Sequence, residues 1–233
     1  MLSISDRLRG LLGSAGSLPP PAASPSILPN RTAPARFQPE VVTTRQSRGL
    51  EQFFGYIRDQ VGLSILDFGG ANQANVSCIT SLGHRVYAED FLRSLDDILR
   101  AQDPAESADQ AQIDYFLRQN LDFPDETFDG VLVWDVLQYM PPALLTATLD
   151  KLYRIVKPKS YLLAYFHSDE KAQQVPVYSF RIKDQQSLIL SERGQRKPAQ
   201  LFNNRSLEKL FHKFESVKFF LTREQLREVI VKK

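Results

Sequence analysis

The sequence predicts an α/β fold, doubly wound around a mostly parallel sheet, and two features carry that expectation. The first is residues 64–90, SILDFGGANQANVSCITSLGHRVYAED, where a short apolar run, a tight glycine turn, a helix-length segment and a second apolar run ending in acid follow one another. Such a succession is half of a nucleotide-binding unit. The second is the return of apolar runs at residues 128–134 and 160–166, separated by enough chain for a crossover helix.

Taken in order, residues 1–48 read as an extension. Leu2, Ile4, Leu8, Leu11 and Leu12 form a run too broken for a secretory signal. Residues 18–36 hold six prolines, Pro19, Pro20, Pro21, Pro25, Pro29 and Pro34, and are expected to be a disordered tether, since so little apolar surface cannot offset chain entropy. The folded domain is expected over residues 49–233. Residues 49–59 space Leu50, Phe53, Phe54 and Ile57 at helical intervals, which predicts an amphipathic helix packed on the sheet. Ile65 and Leu66, bounded by Gly62 and Gly69, make a buried first strand closed by Asp67. Gly69 and Gly70 let the backbone turn sharply and approach a ligand closely. A helix then begins near Asn72 or Gln73, aiming unpaired N–H groups over the turn. Residues 84–90 form the second strand, ending about twenty residues past the turn in acids placed to accept ribose hydroxyls. Asp90 is the expected acceptor, and Glu89, on the opposite face, is the fallback.

Residues 91–102 have a helical apolar period, residues 103–112 read as a surface link, and residues 113–117, IDYFL, as the third strand. Residues 128–134 are the fourth strand, whose carboxyl end delivers Trp134 and Asp135 to the crevice; Trp134 is equally readable as a core aromatic. Pro141 and Pro142 suit the first turn of a helix running to about residue 156. Residues 160–166 form the fifth strand and present His167 at its end. Between about residues 170 and 203, alternating segments with a turn at Gly194 read as a small antiparallel insertion, where substrate specificity would reside. A helix over residues 205–214 and the runs SVKFFLT and LREVIVK close the chain as an antiparallel hairpin.

The glycine turn, the block LDFPDETFDGVLVWDVLQYM at residues 121–140 and the block LDKLYRIVKPKSYLLAY at residues 149–165 resemble, in order and spacing, the class I S-adenosylmethionine-dependent methyltransferases of the type 11-like kind. The resemblance implies a seven-stranded Rossmann-like sheet with a C-terminal antiparallel hairpin. It implies S-adenosylmethionine as cofactor, with contacts from Asp67, Gly69, Gly70, Ala71, Glu89, Asp90, Asn120, Leu121 and Trp134. Ala71 and Gln73 depart from the family's second and third glycines, Lys159 and Ser160 from its later Gly-Gly, and no acid stands at the usual adenine-amine position. Those departures raise an alternative, a methyltransferase-like binding or scaffold module without cofactor.

Composition supports a soluble globular chain, with 42% hydrophobic and 24% charged residues. The single cysteine, Cys78, excludes an internal disulfide and fits a reducing, cytoplasmic setting. His84, His167 and His212 lack metal-ligand spacing, so no metal site is expected, and no apolar run is long enough for a membrane span. The net charge of +2 conceals a segregation: residues 1–48 carry +4, residues 49–170 carry −10 and residues 171–233 carry +8. A basic C-terminal part beside a crevice would favour an anionic acceptor or surface, and leaves nucleic acid open as a partner. Methyl transfer asks a protein mainly to orient an attacking atom and exclude water, so the acceptor and any catalytic residue are not legible. Asp135, Tyr139 and His167 are the substrate-site candidates.

Overall fold

The computed structural model describes residues 41–100, 109–221 and 225–233, so the proline-rich tether expectation lies outside the described residues. The central sheet has six strands among them, β2 (Ser64–Asp67), β3 (Arg85–Ala88), β4 (Phe128–Trp134), β5 (Val156–His167), β8 (Ser216–Leu221) and β9 (Leu226–Lys232). They lie in the order β3-β2-β4-β5-β9-β8. The pairs β2–β3, β2–β4 and β4–β5 are parallel, and β5–β9 and β8–β9 antiparallel. The mostly parallel sheet with its closing antiparallel hairpin therefore forms as expected, with six strands in place of seven.

The missing strand is a helix. Residues 113–117 lie inside α4 (Gln110–Asn120), which starts with a capping box: the Asp109 side chain accepts from Gln112 N, and the Gln112 side chain accepts from Asp109 N. Its buried residues, Ile113, Phe116 and Asn120, fall three and four apart. The period and the cap together outweigh the strand-like composition of IDYFL. Helices occupy the expected places: α1 (Arg48–Ile57) before β2, and α2 (Gln73–Thr80), α3 (Phe91–Arg100) and α5 (Pro142–Ile155) in the crossovers. Phe53 and Phe54 are fully buried under the sheet. Ala71 is absent from the left-handed residues, as its substitution for glycine requires, whereas Lys159 sits at φ +66 within β5, at the register shift in its pairing with β4, a place better suited to glycine.

A second, three-stranded sheet has the order β1-β7-β6. Strands β6 (Val175–Asp184) and β7 (Ser187–Arg196) are the expected insertion, but their third partner is β1 (Val42–Gln46), antiparallel to β7 from Val42↔Ser191 to Gln46↔Ser187. This strand falls inside the segment read as an extension to residue 48. Its alternation of exposed residues with buried Arg45 carries no apolar signal, because its tie to the core is polar. The Arg45 guanidinium donates to Glu228 Oε1 at 2.9 Å, while Ser47 Oγ and Gly49 N donate to Glu228 Oε2 at 3.1 and 2.6 Å. Ser47 also caps α1 by accepting from Leu50 N and is hydrogen-bonded to the Tyr165 hydroxyl at 2.7 Å.

Candidate functional site

The site forms where β2, β4 and β5 end. The Asp67 carboxylate, buried at the end of β2, accepts three hydrogen bonds: Oδ1 from Gly69 N at 2.8 Å and Trp134 Nε1 at 2.5 Å, Oδ2 from Asn75 Nδ2 at 3.0 Å. Burial pushes its pKa up, against the opposing effect of those donors. Gly70 turns at φ +75, and its N–H donates to the Glu89 carbonyl at 3.2 Å. Gly69 pairs with Asp90 as an isolated bridge, so the turn and the end of β3 lie side by side. A Cβ at Gly70 would meet Asp90 Cβ at 3.3 Å; one at Gly69 would meet Trp134 Nε1 at 2.9 Å. Both positions need glycine for space, and Gly70 for its dihedral as well.

Strand β3 stops at Ala88, so Glu89 and Asp90 lie just past it. Asp90 is exposed, and Oδ1 accepts from Arg93 N at 3.1 Å, capping α3. Glu89 is half-buried, with its pKa raised by that burial. The two acids expected from the sequence as ribose acceptors thus lie beside the turn. Asn120 and Leu121 meet a different fate because the strand expected before them is α4. The Asn120 amide donates to the Phe116 carbonyl at 2.8 Å, and Leu121 is fully buried as the helix's C-cap. Asn120 also lines a cavity of about 530 Å³ between α3 and α4, together with Ser94, Ile98 and Phe116.

Strand β6 crosses the carboxyl end of the sheet. At its start, the Pro176 carbonyl lies 3.1 Å from His167 Nε2 and 3.5 Å from the Tyr139 hydroxyl. At its middle, Phe180 stacks on Trp134 with ring centroids 5.0 Å apart, and Tyr165 joins the same cluster, 5.9 Å from the indole and 5.1 Å from Phe180. Trp134 is therefore both a crevice residue and a core aromatic. Asn75 was not singled out from the sequence, yet it joins the layers: Oδ1 accepts from Ile182 N at 2.8 Å, and Nδ2 reaches the Phe180 carbonyl at 3.3 Å as well as Asp67. Its place, eight residues past Asp67 on the first turn of a crossover helix, was the available signal.

Asp135, Tyr139 and His167 do come together beneath β6. The Tyr139 hydroxyl donates to Asp135 Oδ2 at 3.2 Å, and the Arg196 guanidinium lies 5.1 Å above the Tyr139 ring. Burial pushes the Asp135 carboxyl up to about 7, against the Tyr139 hydrogen bond, backbone N–H groups including that of Tyr178, and the Arg196 charge. Burial also raises the Tyr139 phenol and lowers the His167 imidazole, the latter opposed by Pro176. A carboxyl whose folded pKa is raised contributes stability that is present below about pH 4 and lost as pH rises through about 7. Asp135→Asn is accordingly expected to gain on the parent between pH 5 and 8, by up to about 3 kcal/mol, read as the difference between denaturant unfolding curves. A constant difference across that range would show that Asp135 ionises normally.

Among the described residues no helix is long and apolar enough to cross a membrane, and no group of His, Cys, Asp and Glu is placed to hold a metal. No curated protein matches the chain. Similar solved structures include a SAM-dependent methyltransferase from Archaeoglobus fulgidus, at 17% identity and TM-score 0.47 over 79% of this chain and 91% of that one. They also include the Burkholderia thailandensis 1,6-didemethyltoxoflavin-N1-methyltransferase with bound S-adenosylhomocysteine, at 11% identity and TM-score 0.45 over 79% and 76%. A third is the Haemonchus contortus phosphoethanolamine N-methyltransferase 2, at 12% identity and TM-score 0.46 over 79% and 52%. The assignment rests on the sequence instead: the family model described as "Methyltransferase domain" matches residues 36–215, and the chain belongs to that family.

Proposed function

We propose that the chain transfers a methyl group from S-adenosylmethionine to an acceptor held beneath β6. The observation that carries this reading is the turn at Gly69 and Gly70 packed directly against Asp90, a cradle in which any Cβ at Gly70 would press on the acid at 3.3 Å. The exposed Asp90 carboxylate spends one oxygen on capping α3 and keeps the other for ribose hydroxyls, with Glu89 next to it. The residues fit the cofactor at this end. At the other end Trp134 and Phe180 lie over the turn. The cofactor supplies an already activated methyl group; the protein's part is to orient the acceptor, exclude water and, for an acceptor that must shed a proton, receive it. In this reading Asp135 receives it, supported by the Tyr139 hydroxyl that donates to its carboxylate. The net +8 of residues 171–233 supports an anionic acceptor, and a salt series on acceptor binding would expose a polyphosphate partner by its steep slope.

Asp90→Ala is expected to weaken S-adenosylhomocysteine binding by roughly 1 to 3 kcal/mol in calorimetry, the cost of removing a charged acceptor from ribose hydroxyls. An unchanged affinity would transfer the role to Glu89. The saturated Asp67 favours a second reading, a binding module that takes no cofactor. Absence of binding at millimolar S-adenosylhomocysteine, by the parent and by variants that loosen β6, would establish that one.

A further inference from the structure

We propose that the β1–β7–β6 sheet is a cover held closed over the Asp67–Gly69 turn, with Trp134 as its plug, and that cofactor enters only after the cover's polar ties to the core are released. This rests on the S-adenosylmethionine reading above.

Three observations carry it independently. First, one buried side chain, Asn75, bonds simultaneously to the turn's carboxylate and to the β6 backbone at Phe180 and Ile182. The cover is thereby tied to the motif that would have to receive a ligand. Second, at the far end of β7, Arg196 Nη1 lies 2.7 Å from Asp96 Oδ1 on α3, a partly exposed ion pair that spans from the cover to the helix Asp90 begins. Third, Trp134 sits at φ +56, where a bulky side chain is rare, beside a register shift between β4 and β5. What holds it there is its hydrogen bond to Asp67 and its stacking on Phe180 and Tyr165. One of those three restraints, Phe180, belongs to the cover, so withdrawal of the cover loosens the indole, and a ligand that takes over Asp67 or the turn lets it leave its unfavourable dihedral.

The end that opens in this proposal lies opposite the β6–β7 turn. The β6–β7 turn is fastened, because Ser47 N donates to the Gln186 carbonyl at 2.8 Å and Ser47 is held by Glu228 and Tyr165. The opposite end enters and leaves through residues 168–174 and 197–203, which lack regular structure. Opening therefore pivots about the β1 side and breaks the Arg196–Asp96 pair, the Pro176 contacts and the Asn75 bonds to β6. It uncovers the Asp135–Tyr139 pair together with the turn, so donor and acceptor sites open in one movement. A ligand that binds only the open form has its apparent affinity reduced by the closed fraction, and loosening a tie restores it.

The chain has one tryptophan, so its emission is that of Trp134 alone. S-adenosylhomocysteine added to the full chain is expected to raise acrylamide quenching of that emission as the indole leaves Asp67. Asp96→Asn, which breaks the tie at the partly exposed end, is expected to bind S-adenosylhomocysteine roughly threefold or more tightly than the parent, with faster association. Phe180→Ala, from within the stack, should act in the same direction. Binding with quenching unchanged, or variants that bind no more tightly, would overturn the cover while leaving the donor reading intact. No binding by parent or variants at millimolar ligand would overturn both.

Discussion

Glu228→Ala is expected to cost about 3 to 5 kcal/mol of stability, the range for removing one partner of a buried ion pair. Glu228 is fully buried on β9, opposite Tyr165 on β5, and its two oxygens gather Arg45, Ser47 and the Gly49 amide. Alanine would withdraw the charged acceptor from all three at once. For a domain of this size the loss should appear as a fall in midpoint temperature on the order of 10 °C. Glu228→Gln, which keeps the shape and one acceptor, should lose less. A double-mutant cycle with Arg45→Met separates the pair from the backbone contacts, and a change below about 1 kcal/mol for Glu228→Ala would show that β1 is not fixed by this network.

Gly69→Val is expected to abolish S-adenosylhomocysteine binding, by about a hundredfold or more, equivalent to roughly 3 kcal/mol. The added Cβ would lie 2.9 Å from Trp134 Nε1 and 3.1 Å from Asp67 Oδ1, so the branched side chain fills the space over the turn and drives the indole from its acceptor. Overpacking of this kind also destabilises by about 1 to 3 kcal/mol, so circular dichroism and an unfolding curve must accompany the calorimetry. Gly55→Ala supplies the control, because nothing lies within 4 Å of a Cβ there and the position is in the last turn of α1. It should be neutral or stabilising by about 0.5 to 1 kcal/mol and bind as the parent does. A valine variant that folds and binds within threefold of the parent would remove Gly69 from the site.

The sheet was legible because its central strands β2 and β4 are almost wholly buried and read as continuous apolar runs; Phe128–Trp134 appears in the structure with the bounds the sequence suggests. The turn was legible because glycine at φ +75 has few substitutes. Two elements were misread for opposite reasons. In α4 the capping box and the spacing of Ile113, Phe116 and Asn120 were present, but a five-residue window of aromatic and β-branched residues looked like a strand. In β1 no local signal exists: VTTRQ is mostly exposed, and the partners that order it, Glu228 and the β7 backbone, lie far along the chain. The candidate site divides in the same way. Asp67, the glycines and Asp90 announce themselves by spacing, whereas Asn75, Phe180, Arg196 and Asp96 matter only because β6 and β7 return across the crevice.

The seating of β1 also bears on the order in which the molecule assembles. Arg45 and Glu228 are 183 positions apart, and β1 pairs with a strand more than a hundred residues later. Closing so long a loop is entropically unfavourable before other contacts reward it, and contacts of that separation slow folding. On a ribosome β1 is made early, yet it can find neither β7 nor Glu228 until most of the domain has emerged. Refolding should therefore end with a distinct step in which amides of β1 gain hydrogen-exchange protection after those of β2 and β4, and Glu228→Ala should slow or erase that step without delaying the central strands.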